Sequence, residues 1–188
     1  MKLVVTGASG FIGSVLCSRL LQKGHTLTLL TRSAPRDPAT LTRLGQALLE
    51  LDRPAEAEAS FRSALAADAE PVQALVGLSS LALSRNRMEE AEQFAQSAVA
   101  ADAKSVEALV ALGLARMRQP GKLLQAKEAF QAALTGEPES LHYQARAWLA
   151  LVHAAQDDPE SALQEAKAAA ESQPKSALAR GNLSLAHF

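Results

Sequence analysis

Alanines recur along this chain at a fixed long period. Ala57, Ala91, Ala126 and Ala162 follow one another at intervals of 34, 35 and 36 residues, and Ala64, Ala98, Ala133 and Ala169 repeat the same intervals. The two alanines of each pair lie seven residues apart, two helical turns, and so share one face where a neighbouring helix can approach closely. A period near 34 is the length of a helix–turn–helix unit that cannot bury its apolar face alone, so the units must stack into a continuous core. The frame divides the chain into repeats 38–71, 72–105, 106–142 and 143–176 and a partial unit, 177–188. Leu44-Gly45, Leu78-Ser79 and Leu112-Gly113 recur within it, and Phe61, Phe94 and Phe130 fall near one another's places in the second helices. The third unit gains a residue near Gln119-Pro120-Gly121. Composition agrees: 39 alanines and only 4% aromatic residues favour close-packed helices and exclude an all-β fold.

These spacings resemble the tetratricopeptide repeat, two antiparallel helices per 34 residues with small residues at repeat positions 8, 20 and 27 and bulky ones at 4, 7, 11 and 24. The second unit departs from it, with Ala95 at position 24 and Phe94 just before. The resemblance implies a mainly α solenoid of about four and a half helix pairs that binds a protein or peptide. In that family the first helices line a groove at repeat positions 2, 5, 9 and 12. Here those are Ala39, Thr42, Gln46 and Leu49; Gln73, Val76, Ser80 and Leu83; and Glu107, Val110, Leu114 and Met117. The groove so defined is mostly small and apolar. The family's chaperone-binding forms clamp a C-terminal carboxylate with Lys and Asn, and no Lys stands at these twelve positions, so an acidic chaperone tail is not the expected ligand.

The first 33 residues read differently. Lys2–Thr6 and His25–Thr31 are short runs suited to strands, the span from Phe11 to Gln22 carries helical spacing, and Gly24 supplies a stop. Between first strand and helix lies Thr6-Gly7-Ala8-Ser9-Gly10-Phe11-Ile12-Gly13. Glycines so spaced let the backbone approach a pyrophosphate at the positive end of a helix. After the second strand, where an acid would meet a ribose hydroxyl, stand Thr31-Arg32, which favours NADP over NAD if a dinucleotide binds. This string resembles the opening of the extended short-chain dehydrogenase/reductase family, with Gly7, Gly10, Gly13 and Arg32 as the implied cofactor contacts. That family's catalytic Tyr-x-x-x-Lys is missing: the one tyrosine, Tyr143, is followed four residues later by Ala147. The expected N-terminal unit is therefore a truncated Rossmann-like βαβ (1–33), joined through 34–37 to the repeats.

Charge divides at the same junction. Residues 1–36 hold five basic side chains and no acid, and the remaining 152 hold 14 basic and 20 acidic ones, so the total of 19 against 20 hides a +5 and a −6 part. A near-neutral chain does not point to nucleic acid, no apolar run reaches the roughly 20 residues that span a bilayer, and the single cysteine, Cys17, forms no internal bridge. The expectation is a cytoplasmic protein with no membrane partner. The four histidines show no i, i+4 pair, so no metal is expected. Glu56, Glu58, Glu89 and Glu90 read as ordinary surface charge. Arg85, Arg87, Arg116, Arg118 and Lys122 gather at helix turns, where a basic rim for phosphate or an acidic partner is an open alternative. The leading expectation is a non-enzymatic scaffold that takes an apolar or amphipathic segment in its groove. Its rivals are an NADP-responsive regulator and an accidental or engineered fusion with no evolved joint function.

Overall fold

The structure, a computed structural model, describes residues 2–6, 19–20, 23, 26–30, 37–67, 72–178 and 181. Among these, two strands, β1 (Lys2–Thr6) and β2 (Thr26–Leu30), precede eight α-helices. They are α1 (Pro38–Glu50), α2 (Pro54–Ala67), α3 (Val72–Ser84), α4 (Met88–Ala101), α5 (Val106–Met117), α6 (Leu123–Ala133), α7 (His142–Ala155) and α8 (Pro159–Ser172); a 3-10 turn, Glu139–Leu141, leads into α7. β1 and β2 pair in parallel, from Lys2 opposite Thr26 to Thr6 opposite Leu30. Gly7, Gly10, Gly13 and Arg32 lie outside the described residues, as does most of the helix expected between the strands.

The helices form four pairs because of their connections. α1 to α2, α3 to α4 and α7 to α8 are each joined by three residues, short enough to force the second helix back along the first. Each of these turns carries one residue in the left-handed region: Asp52 (φ 55°), Asn86 (φ 60°) and Asp157 (φ 58°). The following amides then reach back to close the turn, Arg53 to the Leu48 carbonyl (2.9 Å), Arg87 to Ala82 (2.9 Å) and Asp158 to His153 (3.0 Å). Asp and Asn tolerate this conformation better than most side chains. The α5–α6 connection uses Gly121 (φ 76°) instead. These four residues each precede one of the recurring alanines by five positions, so turns and packing faces keep one frame. The Asp37 carboxylate starts α1 by accepting from the Thr40 backbone amide (2.9 Å) and hydroxyl (2.7 Å), which lowers its pKa.

All eight recurring alanines are buried, none more than 1% exposed. Beside them, Phe61 and Phe130 are fully enclosed, each centring a cluster: Leu41, Leu48, Ala74, Leu78 and Leu81 around Phe61, and Val106, Leu109, Ala145, Leu149 and Val152 around Phe130. Ala95 takes the matching slot in α4 and is fully buried, while Phe94 is only half-buried. First helices answer second helices by size. A methyl group on Gly45 or Gly77 would lie 2.5 Å from the Phe61 ring, and one on Gly113 would strike the Phe130 ring. Opposite the smaller Ala95 stands Ser79, whose buried hydroxyl donates to the Ala91 carbonyl (2.9 Å). Between α4 and α5 the seam is built on alanines, Ala91, Ala95 and Ala98 against Ala108, Ala111 and Ala115.

Each second helix packs on the first helix of the next pair, and successive first helices also approach one another, whereas second helices do not stack to the same extent. The first helices therefore line the inner, concave side. Neighbouring linkers join as well: the Glu137 amide donates to the Lys104 carbonyl (2.6 Å), and the Val106 amide to that of Glu137 (3.2 Å).

The glycine–phenylalanine fit gives an outcome of definite sign. On a helix whose surface is free, Gly→Ala stabilises by up to about 1 kcal/mol. Gly113→Ala should instead destabilise by roughly 1–3 kcal/mol, because the added methyl overpacks the Phe130 slot. Thermal melts followed by circular dichroism should show a melting temperature several degrees lower, partly restored by Phe130→Leu in the same chain. A raised melting temperature would contradict this packing.

Candidate functional site

The concave side brings together most of the residues expected to line a groove, though not all of them. Ala39, Gln46, Gln73 and Ser80 are exposed, and Leu49, Val76, Leu83, Glu107, Leu114 and Met117 are half-buried. Thr42 and Val110 depart from the expectation: each is only 6% exposed and offers almost no surface. The reason is the approach of one first helix to the next, which draws repeat position 5 into the seam; Val110 joins the Phe130 cluster with Ala145 and Leu149 of α7. Val76, at the same repeat position, leans on the alanine seam and keeps part of its surface. The usable strip is thus Leu49, Leu83, Leu114 and Met117 with part of Val76, bordered by the amides of Gln46 and Gln73 and by Glu107.

The expected basic rim is largely neutralised. Arg85 bonds to Glu58, which also accepts from Arg62 (3.0 Å), and Arg87 pairs with Glu90 (3.2 Å). The hydrogen bonds from Arg85 and Arg62 hold the Glu58 carboxyl below its ordinary value. Glu58 and Glu90 are therefore structural partners rather than idle surface charge. The residue that sequence reasoning passed over is Glu92. On α4, only 8% exposed, it accepts from Arg116 Nε (3.0 Å), Gln119 Nε2 (2.9 Å), Lys122 Nζ (2.5 Å) and Gln96 Nε2 (3.3 Å). Burial alone would raise its pKa, but the hydrogen bonds from Lys122, Gln119 and Arg116 outweigh it and hold the carboxyl at about 2. A helix pattern does not reveal that one glutamate of Glu89-Glu90-x-Glu92 turns inward, because three of its four partners lie 24 to 30 residues away.

Chemistry of other kinds is sparse. Tyr143 is half-buried at the start of α7, its hydroxyl 3.3 Å from Gln144 Nε2. His142 donates to the Gly136 carbonyl (2.9 Å) and His153 meets the capping carboxylate of Asp158 (3.1 Å). Among the described residues no group of three or more His, Cys, Asp or Glu side chains is placed to hold a metal ion, and no helix is long and apolar enough to cross a membrane.

Stacked antiparallel helix pairs with small residues at the contacts define a helical-repeat protein of the tetratricopeptide type, and residues 110–177 match the Tetratricopeptide repeat model. Residues 3–126, about two thirds of the chain, match the NAD dependent epimerase/dehydratase family, and the chain belongs to that family. Within the latter span the described residues form the parallel strand pair and then α1 to α5. A curated relative, dihydroflavonol 4-reductase of Hordeum vulgare, is 38% identical over 78 residues, which are 42% of this chain and 21% of that one. The matched part thus spans about a fifth of that relative's length. Among solved structures, a thermophilic TPR protein of Thermus thermophilus superposes with a TM-score of 0.72 at 19% identity, covering 93% of this chain and 89% of the other. YrrB, described as a TPR protein with an unusual peptide-binding site, gives 0.57 at 23% identity over 78% and 74%. At these identities the likeness is one of fold.

Glu92 links the helix stack to pH. Its folded pKa lies below the ordinary glutamate value, so the stability it contributes is complete above about pH 4.5 and is lost as pH falls from there toward 2. A depression of that size corresponds to an effect on the order of 3 kcal/mol. Wild-type melting temperature should therefore decline over that range, and Glu92→Gln should lower it at neutral pH while flattening the decline. Parallel pH curves for the two proteins would refute the assignment.

Proposed function

We propose that this protein is a non-catalytic interaction scaffold that receives an apolar or amphipathic segment of another protein on its concave side. The observation that carries the reading is the row of half-buried apolar side chains, Leu49, Leu83, Leu114 and Met117, on successive first helices, bordered by amides rather than by paired charges. Such a surface suits a partner that buries side chains and satisfies its backbone on Gln46 and Gln73. The peptide-binding site named for YrrB supports this kind of ligand by analogy of fold. On this reading the repeats occupy 38–188, residues 1–33 are a separate unit and 34–37 the junction, the partner is protein or peptide rather than nucleic acid or membrane, and the compartment is the cytoplasm. Selection from a peptide display library on the full chain should enrich apolar or amphipathic segments, and the double variant Leu83→Asp, Leu114→Asp should lose them without losing helicity. Equal capture by wild type and variant would move the site elsewhere.

A second reading is favoured by the parallel register of β1 and β2 together with the epimerase/dehydratase match: a dinucleotide held by Gly7, Gly10 and Gly13, with Arg32 on a 2′-phosphate. We rank it below the first because two short strands bury little of a dinucleotide, and affinity needs burial and preorganised contacts. Calorimetric titration of the full chain should show no NADP binding tighter than about millimolar, worth roughly 4 kcal/mol. Micromolar binding that disappears in both Gly10→Asp and Arg32→Ala would reverse the ranking and reopen the question of enzymatic activity.

A further inference from the structure

The connection between α5 and α6 is built unlike its three counterparts. Those turns close on their own backbone, through the amides of Arg53, Arg87 and Asp158. The connection from Arg118 to Lys122 is five residues long and runs through Pro120 and left-handed Gly121. Its backbone bonds are short-range, from Arg118 to the Leu114 carbonyl (3.4 Å), from Gln119 to that of Arg116 (2.9 Å) and from Lys122 to that of Gln119 (3.3 Å), and among the described residues no amide of this connection makes the five-residue reach into the preceding helix that closes the other turns. What meets it is a side chain from the preceding pair. Glu92 of α4 accepts from Gln119 and Lys122 inside the connection and from Arg116 in the last turn of α5, and Gln119 Nε2 also reaches the Ala115 carbonyl (3.1 Å).

Equivalent places in the other pairs carry simpler versions of this contact. Arg85 reaches Glu58 across 27 residues, Gln119 reaches Glu92 across 27, and Lys127 reaches Gln156 (3.4 Å) across 29. The second helix of each pair thus clasps the turn of the next. Among the described joints, the one between the second and third pairs alone has a buried carboxylate as its clasp, with three donors from the next pair, and its turn alone lacks the five-residue backbone closure.

We propose that Glu92 is a latch that substitutes for this missing closure, so that the turn 118–122 is ordered only while the second and third helix pairs are docked. Opening of that joint then shows first as release of the turn, in contrast to the self-closed turn at 85–87. Local opening of this kind sets the rate at which a protease reaches a site, and Arg116, Arg118 and Lys122 supply tryptic sites in and beside the turn.

Limited trypsin digestion of the full chain, read by mass spectrometry, is the test. Glu92→Gln keeps shape and removes charge; it should speed cleavage at Arg118 and Lys122 by about ten-fold or more, with rates at Arg62 and Lys104 unchanged and helicity retained. Gln119→Ala, which removes one donor and creates no new cleavage site, should give a smaller increase at Lys122. Glu58→Gln should leave cleavage at Arg85 and Arg87 within about two-fold, because that turn closes itself. Unchanged rates at Arg118 and Lys122 in Glu92→Gln would overturn the proposal, as would an equal rise at every site, which would make Glu92 a general stabiliser, or a ten-fold rise at Arg85 in Glu58→Gln.

Discussion

The stack depends on how closely one helix backbone can approach the next, and alanine sets that distance. Eight alanines at two repeat positions are buried almost completely, and a larger side chain at any of them would push two helices apart. In the first and third pairs bulk is then added at one place and removed at another. Phe61 and Phe130 fill the slots that Gly45, Gly77 and Gly113 leave open, and Ala95 sits opposite Ser79. The core is thus two phenylalanine-centred clusters joined by an alanine seam rather than one uniform mass. A chain with 4% aromatic residues can hold a solenoid together this way because close approach recovers dispersion contacts that large side chains would otherwise supply.

Beside the alanine seam, a buried charged group also bridges the second and third pairs. A carboxylate that is 8% exposed is costly to desolvate, and removing one partner of such a group is costly again. Glu92 escapes the cost because four donors surround it. The same geometry redefines the cations that otherwise read as a rim for phosphate: Arg85, Arg87, Arg116 and Lys122 each face a carboxylate. Among the described residues, Leu49, Leu83, Leu114 and Met117 stand half-buried along the concave strip.

The N-terminal part obeys other rules. A parallel pair of five-residue strands, Lys2–Thr6 and Thr26–Leu30, stands where the sequence suits two strands, and the epimerase/dehydratase match begins in the same stretch. From Pro38 onward the 34-residue repeat governs the pattern, and every described element there is helical. The described helical part draws its stability from nearest-neighbour helix contacts.

Sequence by itself determined the helical pairs, because the recurring alanines and Leu-Gly or Leu-Ser steps are local, periodic signals that survive in one dimension. It also grouped Phe61, Phe94 and Phe130 in the second helices, of which Phe61 and Phe130 are enclosed and Phe94 only half-buried, and marked the longer third turn at Gln119-Pro120-Gly121. It could have shown more in the turns, since Asp52, Asn86 and Asp157 share the alanine frame and are residue types that accept a left-handed backbone. Only the tertiary structure decided which groove positions keep any surface: Thr42 and Val110 share a repeat position with Val76, yet the approach of neighbouring first helices buries those two and leaves part of Val76 uncovered. Only the tertiary structure separated Glu92 from Glu89 and Glu90, which look alike in the chain. The physical reason is the same in both cases: burial and pairing depend on side chains 24 or more residues distant, brought near by stacking, and no local period encodes which of them arrives.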